Sequence, residues 1–181
     1  TGSKKESNFH VVDSEYRGLA ALDAVTAIVI AEGYATADTL SQALSCPVVA
    51  AFDSGNLLKV AQVLQKKYPQ KPIVIAGDDD LTQESINGKN PGKEKAMEAA
   101  QLVNGAVVLP IFAPDEQMSQ QLSDFNDLAN KSVLGIEAVK RQVGSVVEKV
   151  SQQAKQDSLL KLQVPIEPKQ QEIKQKRALV R

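Results

Sequence analysis

The chain has 181 residues, 43% hydrophobic and 24% charged, with a net charge of −1, which suits one domain of ordinary size plus an appendage and selects neither for nor against a polyanionic partner. Its single cysteine, Cys46, excludes an internal disulfide and fits a reducing, cytoplasmic setting. No run approaches the ~20 apolar residues that a membrane-spanning helix needs, so no membrane association is expected.

Residues 1–23 read as a polar lead-in, in which His10-Val11-Val12 suits a short edge strand; the Thr1-Gly2-Ser3 start without Met or signal pattern suggests an excised piece of a larger protein. A strand is expected over 26–31, ending at Glu32-Gly33, and a helix over 34–45 with Ala37, Leu40, Ala43 and Leu44 on one stripe. Residues 47–52 read as a second strand, Asp53-Ser54-Gly55 as a turn, and 56–68 as a helix carrying Leu57, Val60, Ala61 and Leu64 inward. Pro69 and Pro72 break it, and a third strand over 72–77 runs into Asp78-Asp79-Asp80. A polar loop is expected over 81–90, a helix over 92–103, a fourth strand over 105–110, and a long loop over 112–123. A helix over 132–155 follows, with Val133, Ile136, Val139, Val143, Val146, Val147 and Val150 on one side, and Pro165 and Pro168 mark off a basic tail. From Lys155 onward seven Lys or Arg (155, 161, 169, 174, 176, 177, 181) stand against Asp157, Glu167 and Glu172, a balance of +4. A solvated, flexible extension is the simple reading of it.

The divisions are therefore a lead-in (1–23), an α/β domain with its C-terminal helix (24–155) and a flexible basic tail (156–181). Strand–helix alternation argues for a parallel sheet of about four strands flanked by helices. If those strands lie in the order 2-1-3-4, the winding reverses between the first and the third, where such sheets bind ligands. Those are the two strands that end in carboxylates, Glu32 and Asp78-Asp79-Asp80.

Clustered carboxylates repel one another unless something positive joins them, and a divalent cation is the simplest such partner. In Asp-x-Asp, Asp78 and Asp80 fall on one side of an extended backbone and can share a hard cation, with Glu32 as a further ligand or a general acid or base. A solvated turn is the plain reading of three Asp residues taken alone; the equivalent strand-end position of Glu32 weighs against it. Asp124 and Asp127 either add carboxylates at the rim or cap a helix. Asn90-Pro91-Gly92-Lys93 either receives a phosphate at a helix start or simply caps it. Gly33 lets a ligand approach the backbone next to Glu32. His10 is the only histidine and no P-loop occurs, so neither a zinc site nor a P-loop ATPase is expected.

Ile30-Ala31-Glu32-Gly33-Tyr34-Ala35-Thr36-Ala37, Val49-Ala50-Ala51-Phe52-Asp53-Ser54-Gly55-Asn56-Leu57 and Ile73-Val74-Ile75-Ala76-Gly77-Asp78-Asp79-Asp80 together resemble a Toprim domain, in particular that of DNA primases of conjugative plasmids and integrative elements. Asn90-Pro91-Gly92-Lys93 and Ser123-Asp124-Phe125-Asn126-Asp127-Leu128 are similar to further motifs of that group, and the resemblance covers roughly residues 8–140. It implies a Rossmann-like Toprim fold and Mg²⁺- (or Mn²⁺-) dependent nucleotidyl transfer. Glu32 would be the catalytic acid or base, with Asp78, Asp80 and, less directly, Asp124 and Asp127 on the metal. Gly33, Asn90, Gly92 and Lys93 are the candidates for nucleotide phosphate. The implied partners are a single-stranded DNA template, nucleoside triphosphates and other domains of a replication or conjugation protein. The alternatives are a metal-dependent nuclease and a non-catalytic DNA- or partner-binding module of a relaxase- or helicase-linked protein.

Overall fold

The apolar runs of the sequence become strands that are covered on both faces. The computed structural model describes residues 7–15 and 17–163. It contains β1 (His10–Val12), a 3-10 helix (Gly18–Asp23), β2 (Ile28–Ala31), α1 (Tyr34–Leu44), β3 (Val48–Ala50), α2 (Ser54–Lys67) and β4 (Ile73–Ala76). After these come α3 (Leu81–Asn87), α4 (Pro91–Leu102), β5 (Ala106–Val108), α5 (Glu116–Gln120), α6 (Phe125–Asn130) and α7 (Gly135–Gln163).

The sheet order is β1-β3-β2-β4-β5. β3, β2, β4 and β5 run parallel, and β1 pairs antiparallel with β3, His10 lying opposite Ala50. Successive side chains leave a strand on opposite faces. Val29, Ala31, Val74 and Ala76 accordingly join Leu40, Phe125, Leu128, Val139 and Val143 in one core under α1, α6 and α7. Ile28, Ile30, Ile73 and Ile75 join Leu57, Val60, Leu64, Ala96 and Ala99 in a second core under α2 and α4. Two full cores explain why the strands read as continuous apolar runs rather than alternating ones.

The four parallel strands have the 2-1-3-4 order, so the winding reverses between β2 and β4, which pair with Ala31 opposite Ala76. His10–Val12 forms the edge strand expected of it, β1, stitched on by Asn56, whose amide donates to the carbonyls of Asn8 and Ala51, each at 2.8 Å. Three expectations are corrected. First, residues 81–87 form a helix rather than a loop; α3 buries no residue and is started by the Asp80 cap, so apolar periodicity could not reveal it. Second, the 112–123 loop contains α5, and Val133 precedes α7 and is 83% exposed, whereas Ala138, Val139 and Val143 are buried. Third, α7 continues to Gln163, past the helix end expected at 155, because nothing between Gln156 and Gln163 breaks a helix. The basic tail beyond that lies outside the described residues.

Candidate active site

Glu32 follows β2 directly, and Asp78 follows β4 after a single glycine, so the pairing of those strands sets the two carboxylates side by side. Close packing of α4 on the same edge completes the corner. A Cβ on Gly92, in the first turn of α4, would lie 3.0 Å from the Asp78 Cβ, 3.2 Å from its carbonyl and 3.5 Å from Glu32 Oε2. A Cβ on Gly77 would lie 2.5 Å from that of Ala96. Only glycine at these two positions lets the helix close on the strand end.

Each of the two acids has one buried oxygen without a hydrogen-bond partner, Oε2 of Glu32 and Oδ1 of Asp78. Burial pushes the Asp78 carboxyl up to about 8, with the charges of Glu32, Asp124 and Asp127 acting in the same direction. Burial likewise raises Glu32, opposed by hydrogen bonds from Ser54 at the start of α2 and reinforced by the charges of Asp53 and Asp124. Asp124 is raised as well, by burial first and by Asp127 after its own hydrogen bonds.

The remaining acids are occupied. Asp79 takes the Asn90 amide at 2.8 Å and the Lys93 ammonium at 3.5 Å. Its backbone N–H donates to the Ser123 carbonyl, and its own carbonyl accepts from Gln117 Nε2, both at 2.7 Å, which ties the 112–123 loop to the acidic triplet. Asp80 caps α3, accepting from the Gln83 N–H at 2.8 Å. Asp78 lies beside Glu32, whose charge acts on it, while Asp80 spends its Oδ1 on the cap of its own helix. Asp124 caps α6 through the Asp127 N–H at 2.7 Å, while Asp127 accepts from the Ser123 N–H and pairs with Lys131 at 2.7 Å. Capping and charge at the rim, weighed as alternatives on the sequence, thus coexist in these two residues.

Asn90 is 3% exposed and acts as an internal hub: its carbonyl oxygen accepts from the N–H groups of Asp80 and Lys93, and its amide donates to Asp79 and Glu84. The capped-helix-start reading therefore describes its side chain. Lys93 stays partly exposed over Asp79 and Glu84. A Cβ on Gly33 would meet nothing within 4 Å, so space beside Glu32 is open. On the sequence, Asp53 and Ser54 form a turn within the second Toprim-like segment and carry no site role. Their position at the end of β3, beside β2, was the signal that they border Glu32.

Two orphaned carboxylate oxygens in one corner are the donor chemistry of a hard divalent cation. No group of three His, Cys, Asp or Glu among the described residues is gathered closely enough to hold an ion alone. No helix among the described residues is long and apolar enough to cross a membrane.

Comparison with known proteins agrees with this geometry. The model of the Toprim domain matches residues 27–133, the stretch that carries β2 to α6 and every acid described above. Two curated proteins from Escherichia coli, each named DNA primase TraC, are 39% identical to the chain, over 85% and 97% of its length. The chain spans only 14% and 22% of those relatives. No solved structure matches it. With the strand order, the acids at the switch point and the family match in agreement, this chain belongs to the Toprim domain family.

Proposed function

We propose that the chain is the catalytic domain of a primase of mobile DNA, joining nucleotides on a single-stranded DNA template with Mg²⁺ or Mn²⁺ as cofactor. The observation that carries this reading is the pair of buried, unpartnered oxygens, Glu32 Oε2 and Asp78 Oδ1, at the sheet's switch point. Isolated buried carboxylates destabilise a fold, so their presence calls for a function at that spot.

In this reading Asp78, with Asp80 as second donor, holds the metal, and Asp124 and Asp127 add negative charge from the rim. The bound cation would supply charge neutralisation for the phosphates of the incoming nucleotide and of the leaving pyrophosphate. Glu32 takes the proton of the primer 3′-hydroxyl. Its raised affinity for protons, which burial causes, suits it to that task near neutral pH. Ser54, donating to Glu32, orients that carboxylate. Lys93 and the open space at Gly33 border the path of the triphosphate, and Gly92 keeps the corner free of a side chain that would fill it. Other domains of the parent protein would supply most of the grip on template phosphates.

The test is Glu32→Gln in the full-length parent protein. It preserves shape and hydrogen bonding and removes basicity, so primer synthesis on single-stranded DNA should fall by about 10²-fold or more with DNA binding nearly intact. Undiminished synthesis would remove Glu32 from the chemistry. DNA binding without synthesis by the unmutated parent would leave the domain as a binding module.

A further inference from the structure

We propose that an aromatic row on the β1–β3–β2 side of the site, formed by His10, Phe52 and Tyr34, is a stacking platform for an unpaired base of a nucleic-acid strand. This inference rests on the reading that the chain acts on a single-stranded template, and it names where that strand lies.

Aromatic residues are scarce, four Phe and three Tyr in 181 residues with no Trp. Phe112 and Phe125 are buried in the core, but Tyr34 is 53% and Phe52 43% exposed. The fold gathers these two at one edge. Tyr34 opens α1 two residues after Glu32. The Ala51 N–H donates to the Ala31 carbonyl at 2.9 Å, which sets Ala51 level with Glu32 and puts Phe52 one residue beyond it, just past the end of β3. β1 runs antiparallel and brings His10 opposite Ala50, to the same end of the sheet. The His10 and Tyr34 rings meet with centroids 5.7 Å apart, tilted by 40°.

Phe52 is held at φ +74°, a region that residues with a Cβ rarely occupy and that is an outlier for a bulky side chain. Strain of this kind persists where surrounding structure enforces it, often at ligand sites. Its half-exposed ring contributes little to the core.

The groove beside this row encloses about 480 Å³ along α1, from His10 and Tyr34 to Cys46 and Pro47, a size that suits a small planar ligand. Its charged lining is acidic: Asp13, Glu15 and Asp38 face one cation, Arg17, which Asp13 and Glu15 hold at 3.1 and 3.2 Å. Such a wall repels phosphate but accepts hydrogen bonds from the amino and imino N–H groups of a base. The base therefore turns inward onto the rings, and the sugar–phosphate chain stays on the solvent side. Stacking on a ring face tolerates any base, which suits a template whose sequence varies.

The absence of Trp provides the assay. Tyr34→Trp in the whole chain puts a single indole emitter in the row. Its fluorescence should be quenched by a short thymidine oligonucleotide and not by an abasic oligonucleotide with the same number of phosphates. Adding Phe52→Ala should weaken the titration by about tenfold. Phe52→Gly, which relaxes the backbone at φ +74°, should do the same in a fold of unchanged or greater stability. Equal responses to the two oligonucleotides, no quenching by either, or quenching by thymidine triphosphate at the same concentration would each overturn the proposal. Adding Glu32→Gln should leave the quenching unchanged, so failure of the base site and failure of the catalytic reading are read separately.

Discussion

Replacing Asp78 by Asn tests whether the acidic corner is functional, because it removes one charge and keeps the shape of the protonated carboxyl. The folded-state value of about 8 stands roughly four units above the ordinary 3.8. At 1.36 kcal/mol per unit, the ionised carboxylate would cost the fold about 5 kcal/mol if Asp78 alone bore the repulsion. Glu32, Asp124 and Asp127 share that repulsion, so Asp78→Asn should stabilise the metal-free chain by about 1–2 kcal/mol. That is a rise of about 2–8 °C in Tm for a chain of this size. The pH dependence follows from the sign of the shift. Between pH 3.8 and about 8 the folded state keeps a proton that the unfolded state has lost, so parent stability falls as pH rises through that window. The Asn variant lacks this dependence, so its advantage should be small near pH 5 and larger near pH 9. Thermal unfolding followed by circular dichroism with a chelator present measures both. A variant less stable than the parent at both pH values would show Asp78 to be a structural carboxylate and refute the reasoning.

Titration with Mg²⁺ or Mn²⁺ should move the amide signals of residues 32–34 and 77–81 first, and apparent affinity should rise as Asp78 loses its proton toward pH 8. Shifts elsewhere, or a pH-independent affinity, would exclude that site. Asn90→Ala removes the α4 cap and leaves buried partners unsatisfied, and should cost about 2–4 kcal/mol in urea unfolding; a loss under 1 kcal/mol would mean Asn90 is not the hub described. Gly77→Ala forces apart β4 and α4, whose atoms would meet at 2.5 Å, and should cost about 2 kcal/mol or more while Gly33→Ala, which meets open space, leaves stability nearly unchanged.

While the order of the parallel strands came from the structure, the sequence by itself carried the strand–helix alternation and the two strands that end in acids. It could do so because a strand buried on both faces must be apolar throughout, and each intervening helix shows its own stripe. Those signals are local. The tertiary structure alone decided which acid of the triplet lies beside Glu32, since it commits Asp80 to the α3 cap and Asp79 to Asn90 and Lys93. It also brought Asp124 to bear on Asp78 from 46 residues away, and Ser54 on Glu32 from the next strand end. Helix α3 was illegible because it buries nothing, and β1 was legible as an edge strand but not as the carrier of His10 to the site. Pairing between distant segments is fixed by packing and hydrogen bonds across the sheet, and no local pattern of residues encodes it.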